Sequence, residues 1–209
     1  MSIIINFSFC SLREKDVQRS GEFKDSISFR ASRIIHACIV FDLLTTKLSM
    51  PVYLNLKSDR IMSRNSSSKG AVFVLYTYAR ISTILNKFEE FIQENRMKVP
   101  SVEEIDFSLL SVHEEKVILY NYVLMFPMIM KEIWTDLVVS EEFLVHKLCL
   151  FLAQFSSVVS KYYRSTRVLM TQTPNLFPLM FARVYLLRAS LQVFQSGLSC
   201  LDIEPVSEM

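Results

Sequence analysis

The feature that most constrains this chain is a spacing. In "GAVFVLYTYARISTILNKF", residues 70 to 88, Val74, Tyr78, Ile81, Leu85 and Phe88 recur at alternating steps of four and three. That alternation places them on one face of an α-helix. It returns downstream in Leu144, Leu148, Phe151, Phe155, Val158 and Tyr162, and again in Met180, Val184, Leu187, Leu191, Phe194 and Leu198. Residues 114 to 137 read as a further helical region, bent or interrupted at Pro127, since an interior proline removes a hydrogen bond and clashes with the preceding turn. Regions that each need an apolar partner predict an all-α fold, an antiparallel helical bundle.

The expected boundaries follow from local signals. The first helix runs from about 71 to 95 and stops before the "KVPS" break at Pro100. A later helix opens at Ser140 as N-cap, with Glu141 and Glu142 in the dipole-favoured first turn. The last runs from about 178 to 200. There are only three glycines, Gly21, Gly70 and Gly197, which argues against Gly-rich phosphate loops and turn-dense β folds.

The first 68 residues are less regular. A helical pattern covers about 30 to 46, and "PVYLNLK" alternates Val52, Leu54 and Leu56 as a short strand does. The Ser-rich "SDRIMSRNSSSK" (58 to 69) marks a linker. The division is therefore a mixed N-terminal extension, 1–68, followed by a helical bundle, 69–209.

Charge and composition narrow the function. Formal net charge is +2, so contact with nucleic acid must come from a local cluster and not from the field of the whole chain. Cys10, Cys38, Cys149 and Cys200 are scattered without a CxxC pair, which predicts buried reduced thiols. The start "MSIIINFSFC" lacks a basic region, and "VILYNYVLMFPMIM" (117 to 130) is too short to span a bilayer. A soluble, cytoplasmic protein without a membrane contact is expected.

Catalytic chemistry finds little support. His36, His113 and His146 are not at ligand spacing with cysteines or carboxylates, so no metal site is expected. His146 lies on a largely apolar helix and is expected to be partly buried. GxSxG, P-loop and GxGxxG motifs are absent. Neither a catalytic residue nor a cofactor is expected.

Two segments carry a different chemistry. On the first helix, Phe73, Tyr76, Arg80, Thr83 and Lys87 form a second stripe about 100° round from the apolar one, half aromatic and half basic. "KYYRSTR" (161 to 167) sets Tyr162 and Tyr163 among Lys161, Arg164 and Arg167. Cations at a helix C-terminus also complement its dipole, which is the plainer explanation. The functional one is base stacking with phosphate contact, as single-stranded RNA requires. Two such segments in one bundle favour the second, with Phe73, Tyr76, Arg80, Tyr162, Tyr163 and Arg164 as candidates.

The same segments carry a family resemblance. "LYTYARISTIL" resembles the "QYAYARI-SIL" helix of the DALR anticodon-binding domain of arginyl-tRNA synthetases. "VLMFPMIMKEI", "LAQFSSVVSKYYRSTRVL" and "LLRASLQVFQSGLSCLDIEPVSEM" are similar to its later blocks, including a chain that stops at methionine. The likeness covers roughly residues 70 to 209. It implies an anticodon-loop pocket drawing on Phe73, Arg80, Tyr163 and Met209. Phe73 stands where a tyrosine is usual, so stacking survives without the hydroxyl.

Departures matter as much. The tetrad that names the domain is absent, as are HIGH and KMSK, and 70 residues before the bundle are too few for a synthetase's catalytic core. "GAVFVLY", "DFSLL" and "MFARVYLLRA" are similar to non-synthetase animal members of the family. That resemblance implies a larger protein, of which this is a C-terminal part or short isoform. It further implies a non-enzyme that binds arginine tRNAs and presents them to a methyltransferase-like enzyme making 3-methylcytidine. The alternatives are an arginyl-tRNA synthetase fragment and a helical protein–protein scaffold, whose interface would also be rich in aromatics and arginine.

Overall fold

The structure, a computed structural model, describes residues 21–47, 49–51, 70–140, 144–170 and 173–205, with side chains from residue 31 on except Ser140. Among the described residues six α-helices follow in order: α1 (Gly21–Thr45), α2 (Ala71–Glu94), α3 (His113–Val117), α4 (Phe126–Ser140), α5 (Val145–Ser165) and α6 (Phe177–Cys200). Among the described residues there is no strand. The expected strand at 52–56 lies outside the described residues.

The three seams read from spacing do form the core. Val74, Tyr78, Ile81, Leu85 and Phe88 of α2 are all buried. So are Leu148, Phe151, Phe155 and Tyr162 of α5, and Met180, Val184, Leu187, Phe194 and Leu198 of α6. α5 packs against each of the other five helices. At its middle the Phe155 ring stacks on Phe194 at 4.5 Å and on Tyr122 at 4.7 Å between centroids. Removing a phenylalanine so enclosed costs about 3–5 kcal/mol.

α1 is longer than its periodicity suggests, starting at Gly21 instead of about 30. Neither proline nor glycine interrupts residues 22–45, so nothing local stops it earlier. It packs on α2 and α5, and its Ala37 and Phe41 are buried in the same core as the seams. This helix of the N-terminal stretch is thus continuous with the bundle.

The region around Pro127 is interrupted as expected, by a specific device. After α3 the chain widens into a π-helical stretch, Ile118–Val123, closed by the Leu124 amide donating to the Leu119 carbonyl at 2.9 Å. α4 then starts afresh at Phe126. Pro127 falls in its first turn, where amides have no intrahelical acceptor and a missing N–H costs nothing.

Ser140 corrects the expectation placed on it. It is the last residue of α4, not an N-cap, and α5 opens after Leu144. A serine cap is worth about 1 kcal/mol, and no glycine or proline between 128 and 139 stops α4 before it. Exposed apolar residues crowd α4: Met128, Trp134, Val138 and Val139.

Candidate nucleic-acid interface

The two stripes of α2 separate as their spacing demands. While the apolar stripe is buried, Tyr76, Arg80, Thr83 and Lys87 are exposed and Phe73 is half-buried. Thr77 and Thr83 donate their hydroxyls back to the Phe73 and Ala79 carbonyls at 2.8 Å each. The larger side chains of the second stripe are left to meet whatever lies outside.

What they meet first is α5. The Arg80 guanidinium lies over the Tyr163 ring, 4.8 Å from its centroid, within the range of a cation–π contact. Tyr76, Arg80 and Tyr163 line one cleft, floored by Ile81, Val159 and Leu187, with only about 10 Å³ of free volume. Arg80 therefore covers the ring as a closed lid. Among the described residues Arg80 has no carboxylate partner, so its charge is available to an incoming phosphate.

The run "KYYRSTR" divides its side chains among several destinations. Lys161 pairs with Glu114 at 3.0 Å, and that hydrogen bond holds the Glu114 carboxyl below its ordinary range. Tyr163 faces Arg80. Arg164 is exposed and has no partner among the described residues. Arg167 donates its Nε to the Leu169 carbonyl at 3.2 Å.

Comparison with known proteins gives this face its context. The family described as DALR anticodon binding domain matches residues 74–209. The chain belongs to the DALR anticodon-binding domain family. It is similar to DALR anticodon-binding domain-containing protein 3 of Danio rerio, 31% identical over 179 residues, covering 83% of this chain and 32% of that one. The protein of the same name from Rattus norvegicus is 32% identical over 179 residues, covering 83% and 32%. The arginine–tRNA ligase of Malacoplasma penetrans is 26% identical over 152 residues, covering 73% of this chain and 24% of the ligase. The chain thus spans about a third of the length of the first two relatives.

In this DALR domain Tyr162 is not available to RNA, which corrects its place among the candidates. It is fully buried, and its hydroxyl donates to Glu115 Oε1 at 3.1 Å. Burial first, and the neighbouring carboxylate second, push its ionisation far up. Tyr162 and Tyr163 are about 100° apart on a helix, so one of the pair faces in when the other faces out. Met209 lies outside the described residues. The last described stretch is held down: Arg33 of α1 pairs with Glu204 at 2.8 Å and donates to the Pro205 carbonyl at 3.3 Å.

Glu115 was missed by sequence reasoning. It is wholly buried in the DALR domain, where Oε1 accepts from Arg183 Nε at 2.7 Å as well as from Tyr162. Its Oε2 accepts from the Val112 amide at 3.0 Å. That last bond is half of a capping box, and a glutamate three residues after a chain turn was the available signal. The buried Arg183 also donates Nη1 to the Arg167 carbonyl at 3.0 Å.

Among the described residues the remaining histidines and cysteines differ in exposure. His36 and His113 are exposed and His146 is buried. Among the described residues no three His, Cys, Asp or Glu side chains converge as a metal set. Cys38, Cys149 and Cys200 are free. Burial pushes the Cys149 thiol up to about 11, whereas Cys200 is exposed, against the expectation of buried thiols. The stretch Pro174–Cys200 is long and apolar enough to cross a bilayer, but its buried residues form the core against α2 and α5.

Proposed function

We propose that this chain is a non-catalytic tRNA-binding protein that grips the anticodon arm of arginine tRNAs through the Tyr76–Arg80–Tyr163 face. It presents those tRNAs to a methyltransferase that forms 3-methylcytidine, and it acts in the cytoplasm. The observation that carries the reading is the Arg80 guanidinium over the Tyr163 ring on an exposed stripe. The pair offers a stacking plane and a cation without a carboxylate partner among the described residues, the chemistry that holds unpaired nucleotides. The family match supports an anticodon loop as the target.

A gel shift with arginine and non-arginine tRNAs across a salt series tests it. Tighter binding of arginine tRNAs, falling steeply with salt, is expected, because phosphate contacts release counterions. Adding the chain to a 3-methylcytidine methyltransferase and arginine tRNA should raise methylation. Equal binding of all tRNAs, or unchanged methylation, sinks the corresponding half of the proposal.

A second reading, a helical protein scaffold, draws on the large apolar side chains that α4 leaves exposed, Met128, Trp134, Val138 and Val139. It predicts no salt-dependent tRNA binding at all.

A further inference from the structure

A cavity of about 460 Å³ opens between the end of α5 and the start of α6, lined by Thr166, Arg167, Met170, Thr173 and Arg183 among others. That volume lies within the usual range of ligand pockets, about 300–1,000 Å³. The cleft at Tyr163 shares none of these residues.

Its charge is positive for a structural reason. Glu115 binds Arg183 through Nε and the Arg167 carbonyl holds Nη1, which fixes the buried guanidinium in place. Nη2 has no hydrogen-bond partner among the described residues. Arg167 contributes a second guanidinium, committed only through Nε to the Leu169 carbonyl. Two guanidiniums against one carboxylate leave a net positive charge. At the end of α5 the Tyr162 carbonyl accepts from the Thr166 amide and Ser165 Oγ, and the Lys161 carbonyl from Ser165 Oγ, so the carbonyls of these two residues are turned to donors of the chain itself. Thr173 and Leu176, which flank the turn leading into α6, complete the rim.

We propose that this cavity is a phosphate site, filled by a backbone phosphate of the RNA strand that stacks at Tyr163. The inference rests on the function proposed above and extends its contact surface round the end of α5. Tyr163 and Arg167 are four positions apart, at most about 14 Å of chain, so one strand reaches both.

The test is a salt titration of arginine-tRNA binding by the full chain and its variants Arg167→Gln, Arg167→Lys and Tyr163→Ala, each checked by circular dichroism. Arg167→Gln should weaken binding and lower the salt slope by about one, as expected for one lost phosphate contact. Arg167→Lys should keep the slope, and Tyr163→Ala should lower affinity without changing it. Inorganic phosphate at constant ionic strength should shift the Arg183 Nε–H resonance, and bound tRNA should prevent that shift. A wild-type slope and affinity in Arg167→Gln, while Tyr163→Ala still weakens binding, overturns the cavity's role and leaves the Tyr163 face standing. A phosphate-induced shift that bound tRNA does not prevent makes the cavity a site for free anion and overturns its assignment to RNA. Failure of the folded wild type to bind tRNA overturns both.

Discussion

The Arg80 guanidinium sits 4.8 Å from the centre of the Tyr163 ring and closes the cleft between α2 and α5. On the function proposed above, a base stacking on Tyr163 from this side would take the place of Arg80 and leave its guanidinium for a phosphate. The two side chains therefore act as a unit. Tyr163→Ala should cost about 1–3 kcal/mol of tRNA binding. Arg80→Ala should also weaken it, and the double variant should lose less than the sum, because residues in contact couple. Strict additivity in a double-mutant cycle would separate them.

Arg164 reports on the backbone alone. It is exposed and unpartnered among the described residues, so Arg164→Ala should weaken binding to arginine and non-arginine tRNAs alike. The salt slope should fall by about one. A loss confined to arginine tRNAs would mean that it reads bases instead.

Tyr162 should behave oppositely to its neighbour. Tyr162→Phe removes one hydrogen bond to a buried carboxylate, worth about 1.5–3 kcal/mol of folding stability. Urea unfolding should show that loss with tRNA binding unchanged below the transition. Glu115→Ala should cost more, about 3–5 kcal/mol, because it leaves Arg183 as an uncompensated buried charge.

His146 predicts an acid limb in stability. Burial, then Lys47 and Lys147, depress its folded pKa below 6.5. The unfolded chain then binds the proton more readily, so stability rises with pH across this window. It should be fully present above about pH 7 and decline as pH falls through 6.5 towards the lower folded value. Thermal melts between pH 7.5 and 5 should show the decline, and His146→Gln should flatten it.

The seams of α2, α5 and α6 were legible because apolar spacing is a property of each helix alone. So was the exposed stripe of α2. Tyr162 shows the limit. It belonged both to the α5 seam and to the basic–aromatic run, and packing decided for the seam because a full ring in the core outweighs a surface contact. Glu115 and Arg183 were not legible, since a buried ion pair between residues 68 apart leaves no local pattern. Ser140 misled for a related reason: a cap signal describes one turn, and whether the preceding helix has ended depends on what its other face packs against.

The ion pair inside the domain also sets an order of events in the cell. Glu115 leaves the ribosome 68 residues ahead of Arg183, roughly 3–14 s earlier at about 5–20 residues per second. Until α6 follows, its carboxylate has no arginine, and enclosing it would strand a charge in the core. Packing α3 against α5 before α6 is made would therefore bury a carboxylate without its cation, which disfavours early closure. The pair thus ties the stability of α3 in the core to the presence of α6, so a chain cut before Arg183 should hold its earlier helices without a closed bundle.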